Sequence, residues 1–214
     1  MRRRWISLVL LVAWSLTLVG CARAPVRPRS AAGVARGDLV WVTFLQVNDI
    51  YTLEPVDQGR RGGIARLATL AKATKVRNPN SLFVLAGDTI SPSVMSTFLR
   101  GEQMIAGLTA AGLDIATFGN HEFDYGPDVL RERMRESKFT WVSANVVDRR
   151  TGQPFGGAQR DVLRTFGPIK VGIFGLTMPE TSSTSSPGPD VVFREPLGVA
   201  KEVAAGLRAR GAHL

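Results

Sequence analysis

The sequence predicts an α/β domain built in layers, and three observations carry that reading. Strand-like and helix-like segments alternate from about residue 39 to the end of the chain, the order expected of sheets covered by helices. Three short apolar runs end abruptly in clusters of Asp, Asn and His. The 214 residues are 44% hydrophobic and 21% charged, an ordinary globular balance that excludes disordered, fibrous and multi-span membrane classes.

The elements follow in order. Residues 39–47 (LVWVTFLQV) are β-branched and aromatic and read as a strand. Residues 62–77 place Ile64, Leu67, Leu70, Ala71 and Thr74 on one helical face. Residues 81–86 (SLFVLA) are a short apolar run suited to a fully buried strand. Residues 102–111 read as a helix stopped by Gly112. Residues 114–118 (DIATF) read as a strand, and 127–137 as a helix with Pro127 near its start. Residues 140–146 read as another strand. Residues 162–166 and 169–176 form a pair turning at Gly167-Pro168, and 181–189 (TSSTSSPGP) read as a loop. A helix over 197–210 ends at Gly211.

The first 37 residues are expected to lie outside this domain. Arg2, Arg3 and Arg4 precede an apolar stretch over 6–19 that is short for a membrane span. Small residues then lead to Cys21, so 1–20 read as a signal peptide. Leu18-Val19-Gly20-Cys21 resembles the bacterial lipobox, which implies cleavage before Cys21 and lipid on its sulfur. Cys21 is the only cysteine, and an unpaired cysteine in an exported chain needs such an explanation. Residues 21–37, rich in Pro, Arg, Ala and Gly, read as a flexible tether, leaving 38–214 as the domain. The formal charge is +9, but three of those charges belong to the signal segment. The remainder suits phosphorylated substrates or anionic lipid as well as solvent, and no nucleic acid is inferred from it.

Three polar clusters carry the chemistry: Asn48-Asp49-Ile50-Tyr51, Gly87-Asp88-Thr89, and Gly119-Asn120-His121-Glu122-Phe123-Asp124. Each follows its own strand, and open α/β sheets place their sites at the carboxyl ends of strands. Asp49 and Asp88 offer anionic oxygens, Asn120 a neutral oxygen and His121 an imidazole. Such a set suits Zn, Mn, Fe or Mg rather than thiolate-loving ions. Two cations sharing one carboxylate can clamp a phosphate and activate a water. Singly, each motif is more often a turn or a cap; jointly they point to a metal site.

These residues resemble the calcineurin-like metallophosphoesterases, in particular the bacterial 5'-nucleotidase branch. The shared features are Asn48-Asp49, Gly87-Asp88, residues 119–126 (GNHEFDYG), Ser143-Ala144-Asn145 and Gly62-Gly63-Ile64-Ala65-Arg66. The resemblance implies a four-layer α/β/β/α sandwich with two mixed sheets, here lacking its C-terminal strands. It implies that Asp49 binds one metal, Asp88 bridges two divalent metals, and Asn120 binds the second metal and touches the phosphate. His121 would contact substrate and protonate the leaving group, and Asp124 would hold its ring. Glu122 reads as structural.

Two departures bear on these roles. The branch carries His two residues after its first Asp, where this chain has Tyr51. Tyr51 either ligates a strongly Lewis-acidic metal such as Fe³⁺ or packs beside the site. The branch also draws later histidines from further strands, whereas this chain has only His121 and His213. The sequence therefore reads as an N-terminal portion, expected to show little phosphatase activity by itself.

The expected function is metal-dependent hydrolysis of a phosphate monoester, a nucleotide or nucleotide-derived compound, outside the cytoplasm. The protein would be held to the cell envelope by lipid at Cys21. Oligomeric state is left open. A cyclic-nucleotide phosphodiesterase or sugar-nucleotide hydrolase on the same site is one alternative; a non-catalytic binding lipoprotein is another.

Overall fold

The structure is a computed structural model, and it describes residues 39–214. The signal peptide, Cys21 and the tether lie outside the described residues. No helix among the described residues is long and apolar enough to cross a membrane.

Four strands form a parallel sheet in the order β1 (Thr43–Val47), β4 (Ser81–Leu85), β5 (Ile115–Ala116), β6 (Thr140–Trp141). Register is fixed along its length, with Thr43 opposite Ser81 and Val47 opposite Leu85. The crossovers are helical, as parallel neighbours require. α1 (Ile64–Arg77) joins β1 to β4 after a small hairpin of β2 (Pro55–Val56) and β3 (Arg61–Gly62). α2 (Val94–Leu99) and α3 (Glu102–Ala110) join β4 to β5, and α4 (Gly126–Glu136) joins β5 to β6.

Alternation along β4 explains the layering. Phe83 and Leu85 face one side, where they pack with Ile105 and Leu108 of α3 and Leu130 of α4. Leu82 and Val84 face the other, against Val162, Phe166 and Val171. Those residues belong to the antiparallel pair β8 (Val162–Phe166) and β9 (Ile169–Ile173). α6 (Pro196–Ala209) covers the pair's outer side through Val199, Val203 and Leu207. Helices, parallel sheet, hairpin and helix are thus stacked in the expected α/β/β/α sequence. Where two mixed sheets were expected, the described residues form one wholly parallel sheet and antiparallel pairs. Helical crossovers enforce the parallel sheet, and the tight turn at Gly167-Pro168 makes β8 and β9 antiparallel.

Several boundaries differ from the sequence reading. The 39–47 strand begins only at Thr43, and the 114–118 strand is reduced to Ile115–Ala116. The 140–146 strand divides. Thr140–Trp141 stays in the parallel sheet, whereas β7 (Val146–Asp148) turns away to pair with β10 (Val191–Phe193). Asn145 sits at that corner, fully buried, and its amide accounts for the bend. It donates to the carbonyls of Thr177 at 2.7 Å and Arg194 at 3.0 Å and accepts from the Thr177 N–H. The 181–189 loop opens with a one-turn helix, α5 (Thr181–Thr184). On α1, Ile64, Leu67, Ala68 and Ala71 face the core while Leu70 is exposed.

Candidate active site

β1, β4 and β5 run parallel, so their carboxyl ends emerge side by side and the three polar clusters meet there. The first two loops are tied by backbone and side chain: Asp49 N–H donates to the Gly87 carbonyl at 3.3 Å, and Thr89 Oγ1 donates to the Ile50 carbonyl at 2.8 Å. The second and third loops are tied more strongly. The buried Glu122 carboxylate accepts the N–H groups of Asp88 and Thr89 at 2.8 Å and of Gly119 at 2.6 Å. The His121 N–H in turn donates to Asp88 Oδ1 at 2.9 Å.

Two glycines make this approach possible. A Cβ on Gly87, whose φ is +88°, would lie 2.5 Å from the Gly119 nitrogen, and a Cβ on Gly119 would lie 2.6 Å from Asp88 Cγ. Asp49 and Asp88 also adopt left-handed backbone, at φ of 54° and 65°. Non-glycine residues in that region cost of order 1 kcal/mol or more and concentrate at functional sites. The third loop is anchored by aromatics on both flanks. Phe118 stacks on Trp141 with ring centres 5.2 Å apart, and Phe123 meets Phe118 edge-on at 5.7 Å. Between them, residues 121–123 make a single 3₁₀ turn.

That turn sets the His121 side chain. Its Nδ1 lies 2.7 Å from Asp124 Oδ2, three residues on. Asp124 Oδ1 accepts a hydrogen bond from Ser185 Oγ at 2.7 Å, so the carboxylate is held from both sides. Burial alone would lower the His121 imidazole pKa. The Asp124 hydrogen bond, with the negative charges of Asp124, Asp88 and Glu122, outweighs it and raises the net value. Asp88 is pushed up, chiefly by burial and further by the nearby Asp49 and Asp124 charges, despite its bond from His121. Asp49 is lowered by hydrogen bonds from Tyr51 and Asn48.

Tyr51 lies inside the constellation. Its hydroxyl donates to Asp49 Oδ1 at 2.6 Å, and its ring stands edge-on to His121, 5.8 Å between centres. Burial, the bond to Asp49 and the neighbouring carboxylates all push the phenol's ionisation upward. With no cation bound, the phenol keeps its proton and serves as the donor to Asp49.

The donor chemistry fits divalent cations. Asp49, Asp88 and Asn120 supply hard oxygens, and Asp88 Oδ2 accepts no hydrogen bond among the described residues. Asp49 and Asp124 both repel the Asp88 carboxylate, a cost that a cation would relieve. Among the described residues no three His, Cys, Asp or Glu side chains converge tightly enough to enclose an ion by themselves. His213 has a different neighbourhood: its Nδ1 accepts the Lys170 N–H, where the chain leaves α6 beside β9. Asn145 is a corner residue, as described above. Ser185 was not singled out in the sequence, because nothing local distinguishes it within a Ser/Thr-rich run.

Residues 42–197 match the family model for calcineurin-like phosphoesterases. The chain belongs to that family. Its relatives among the calcineurin-like phosphoesterases include nucleotidases. It is 28% identical over 212 residues to a probable 5'-nucleotidase of Treponema pallidum, covering 94% of this chain and 34% of that protein. It is 30% identical over 198 residues to the 5'-nucleotidase of Bos taurus, covering 83% and 34%. Among solved structures, a 5'-nucleotidase precursor from Thermus thermophilus superposes with a TM-score of 0.72 at 33% identity, covering 79% of this chain and 35% of that one. The NAD nucleotidase of Haemophilus influenzae matches with the same TM-score at 28% identity, over 79% and 32%. The chain thus spans about a third of the length of the curated relatives it matches.

Proposed function

We propose that this phosphoesterase chain supplies the phosphate-binding and proton-donating half of a metal-dependent 5'-nucleotidase. It would act on extracytoplasmic nucleotides, anchored to the envelope through Cys21. One observation carries the reading: Asp88 is bonded to the His121 backbone at the same strand edge where Tyr51 joins Asp49 to the His121 ring. Three loops thereby share one cleft.

Asp49, Asp88 and Asn120 would hold two divalent cations, with Tyr51 as hydrogen-bond donor to Asp49 rather than as ligand. When bound, the cations would supply Lewis acidity to the phosphoryl group and to an attacking water. The Asn120 amide would orient a phosphoryl oxygen. His121, with Nδ1–H held by Asp124, presents Nε2 to the leaving oxygen and donates its proton there. The Asp124 hydrogen bond and the surrounding carboxylates raise the imidazole pKa and so favour its protonated form. Ser185 fixes the Asp124 carboxylate and, through it, the ring.

The test is Mn²⁺ binding by the 214-residue chain, followed by electron paramagnetic resonance, with inorganic phosphate added afterwards. Wild type should bind Mn²⁺ and then phosphate; Asp88→Asn should weaken Mn²⁺ at least about tenfold. An unchanged Mn²⁺ affinity in Asp88→Asn would overturn the assignment.

A further inference from the structure

The parallel sheet has two ends. Its carboxyl end carries the cleft, and its amino end carries a different set of side chains. Trp41, two residues before β1, is 76% exposed. Val40 and Val42 on either side of it pack on the inner apolar cluster with Leu82 and Phe166, and Trp41 stands clear of that layer. Val76, near the end of α1, is 74% exposed. The two segments are tied together. Asn78, the residue that caps α1, donates from Nδ2 to the Trp41 carbonyl at 3.4 Å and to Thr43 Oγ1 at 2.8 Å.

The same end is basic. Lys72 and Arg77 are exposed on α1, Lys72 one turn before Val76 and Arg77 at the helix terminus. Lys138, two residues before β6, is exposed as well. None of the three pairs with a carboxylate among the described residues, because the neighbouring acids are already engaged: Asp114 holds Lys75 at 2.8 Å and Glu136 holds Arg133 at 2.7 Å. The chain also enters the sheet at this end, and Cys21 stands twenty positions before Trp41. Between them, residues 22–37 contain Arg23, Arg27, Arg29 and Arg36 and no acid.

We propose that this amino end rests on a bilayer surface carrying anionic lipid, with the Trp41 ring at the level of the headgroups and Lys72, Arg77 and Lys138 over lipid phosphates. The inference rests on the envelope-held reading of Cys21 and adds which face of the domain meets the membrane. An exposed Trp flanked by cations fits that partner, since indole favours the boundary between water and hydrocarbon. Each Lys or Arg near an anionic surface strengthens binding about fivefold. The apolar stems of these side chains can lie against the boundary while their heads stay hydrated. The cleft, at the opposite ends of the same strands, then faces away from the bilayer and is open to solutes.

The experiment uses the 214-residue chain made in a bacterium and purified from its membranes, with intact mass showing whether Cys21 is acylated. The chain is mixed with excess vesicles of phosphatidylcholine, with or without phosphatidylglycerol, all containing bromine-labelled lipid that quenches indole on contact. Trp141 is buried, and Trp5 and Trp14 fall in the predicted signal segment, so the difference between wild type and Trp41→Phe isolates the Trp41 signal. Trp41 should be quenched on vesicles with phosphatidylglycerol and far less on phosphatidylcholine alone. Arg77→Glu with Lys138→Glu should lower the docked-to-free ratio at least about tenfold. Arg60→Glu with Arg61→Glu, an equal charge change beside the β2–β3 hairpin, should not. Equal quenching on both vesicles, or the same loss from both double variants, overturns the proposal. Self-association that Trp41→Ser abolishes, seen by sedimentation, assigns the face to a second copy and overturns it too. An acylated chain with unquenched Trp41 sinks the docking face and leaves the anchor standing; quenched Trp41 on a chain without acyl groups does the reverse.

Discussion

Glu122 and Asp88 are joined across 34 positions of sequence by a 2.8 Å hydrogen bond from the Asp88 amide to the Glu122 carboxylate. Since Glu122 also takes the amides of Thr89 and Gly119, one buried side chain determines the separation of two functional loops. Its role is architectural: it orients the backbone that presents Asp88 and leaves that side chain facing outward.

Replacing Glu122 with Ala should therefore destabilise the chain by about 3 kcal/mol, because the buried Thr89 N–H and the half-buried N–H groups of Asp88 and Gly119 lose their acceptor. Urea denaturation measures this directly. Less than about 1 kcal/mol would mean that the loops hold their spacing by other contacts.

The same residue makes stability depend on pH. Burial pushes the Glu122 carboxyl from 4.5 up to about 7, against the pull of its three N–H donors. Its folded value is raised, so its contribution is complete below about pH 4.5 and is lost as pH climbs through 7. His121 and Asp88 are raised as well and act in the same direction. Asp49 is lowered, and its contribution is already complete above about pH 4. Metal-free chain should be more stable at about pH 5 than at about pH 8, by roughly 3 kcal/mol for Glu122 alone. Flat or rising stability across that interval contradicts the argument.

Gly119→Ala introduces a methyl group where Asp88 already lies. Overpacking of this kind costs about 1–3 kcal/mol. Because the displaced group is a candidate ligand, Mn²⁺ affinity should fall together with stability. Gly206→Ala, inside α6 where a Cβ meets nothing within 4 Å, is the control: it should leave Mn²⁺ affinity unchanged and raise stability by up to about 1 kcal/mol through helix propensity.

Ser185→Ala removes one of the two bonds holding Asp124. The His121 ring should then lose order. With only two histidines in the chain, its Nδ1–H resonance can be assigned without ambiguity. That proton should exchange with solvent about tenfold faster in the variant, and Ser185→Thr should restore protection. Unaltered exchange in Ser185→Ala would show that Asp124 is held without the hydroxyl.

The sequence made the strand tips legible, because a residue pattern such as Gly-Asn-His-Glu after an apolar run is local. The local pair His121 and Asp124 could be read for the same reason. Contacts between distant segments could not. Ser185 reaches Asp124 across 61 positions. α2 went unread because its six residues are too few to show a helical period, and its Ser93 cap sits in a stretch dense with Ser and Pro. The division of the 140–146 strand escaped for a similar reason. It depends on Asn145 finding carbonyls 32 and 49 positions away, whereas the apolar residues around it suit either course.

The Asn145 corner has a consequence for synthesis on the ribosome. A nascent chain that has emerged as far as residue 150 already contains Asp49, Asp88, Asn120, His121 and Asp124. It lacks Thr177 and Arg194, the carbonyl partners of the Asn145 amide, as well as the Ser185 hydroxyl. The His121–Asp124 pair can form early, but its latch lies 61 positions beyond Asp124, so the order of emergence separates making this turn from locking it.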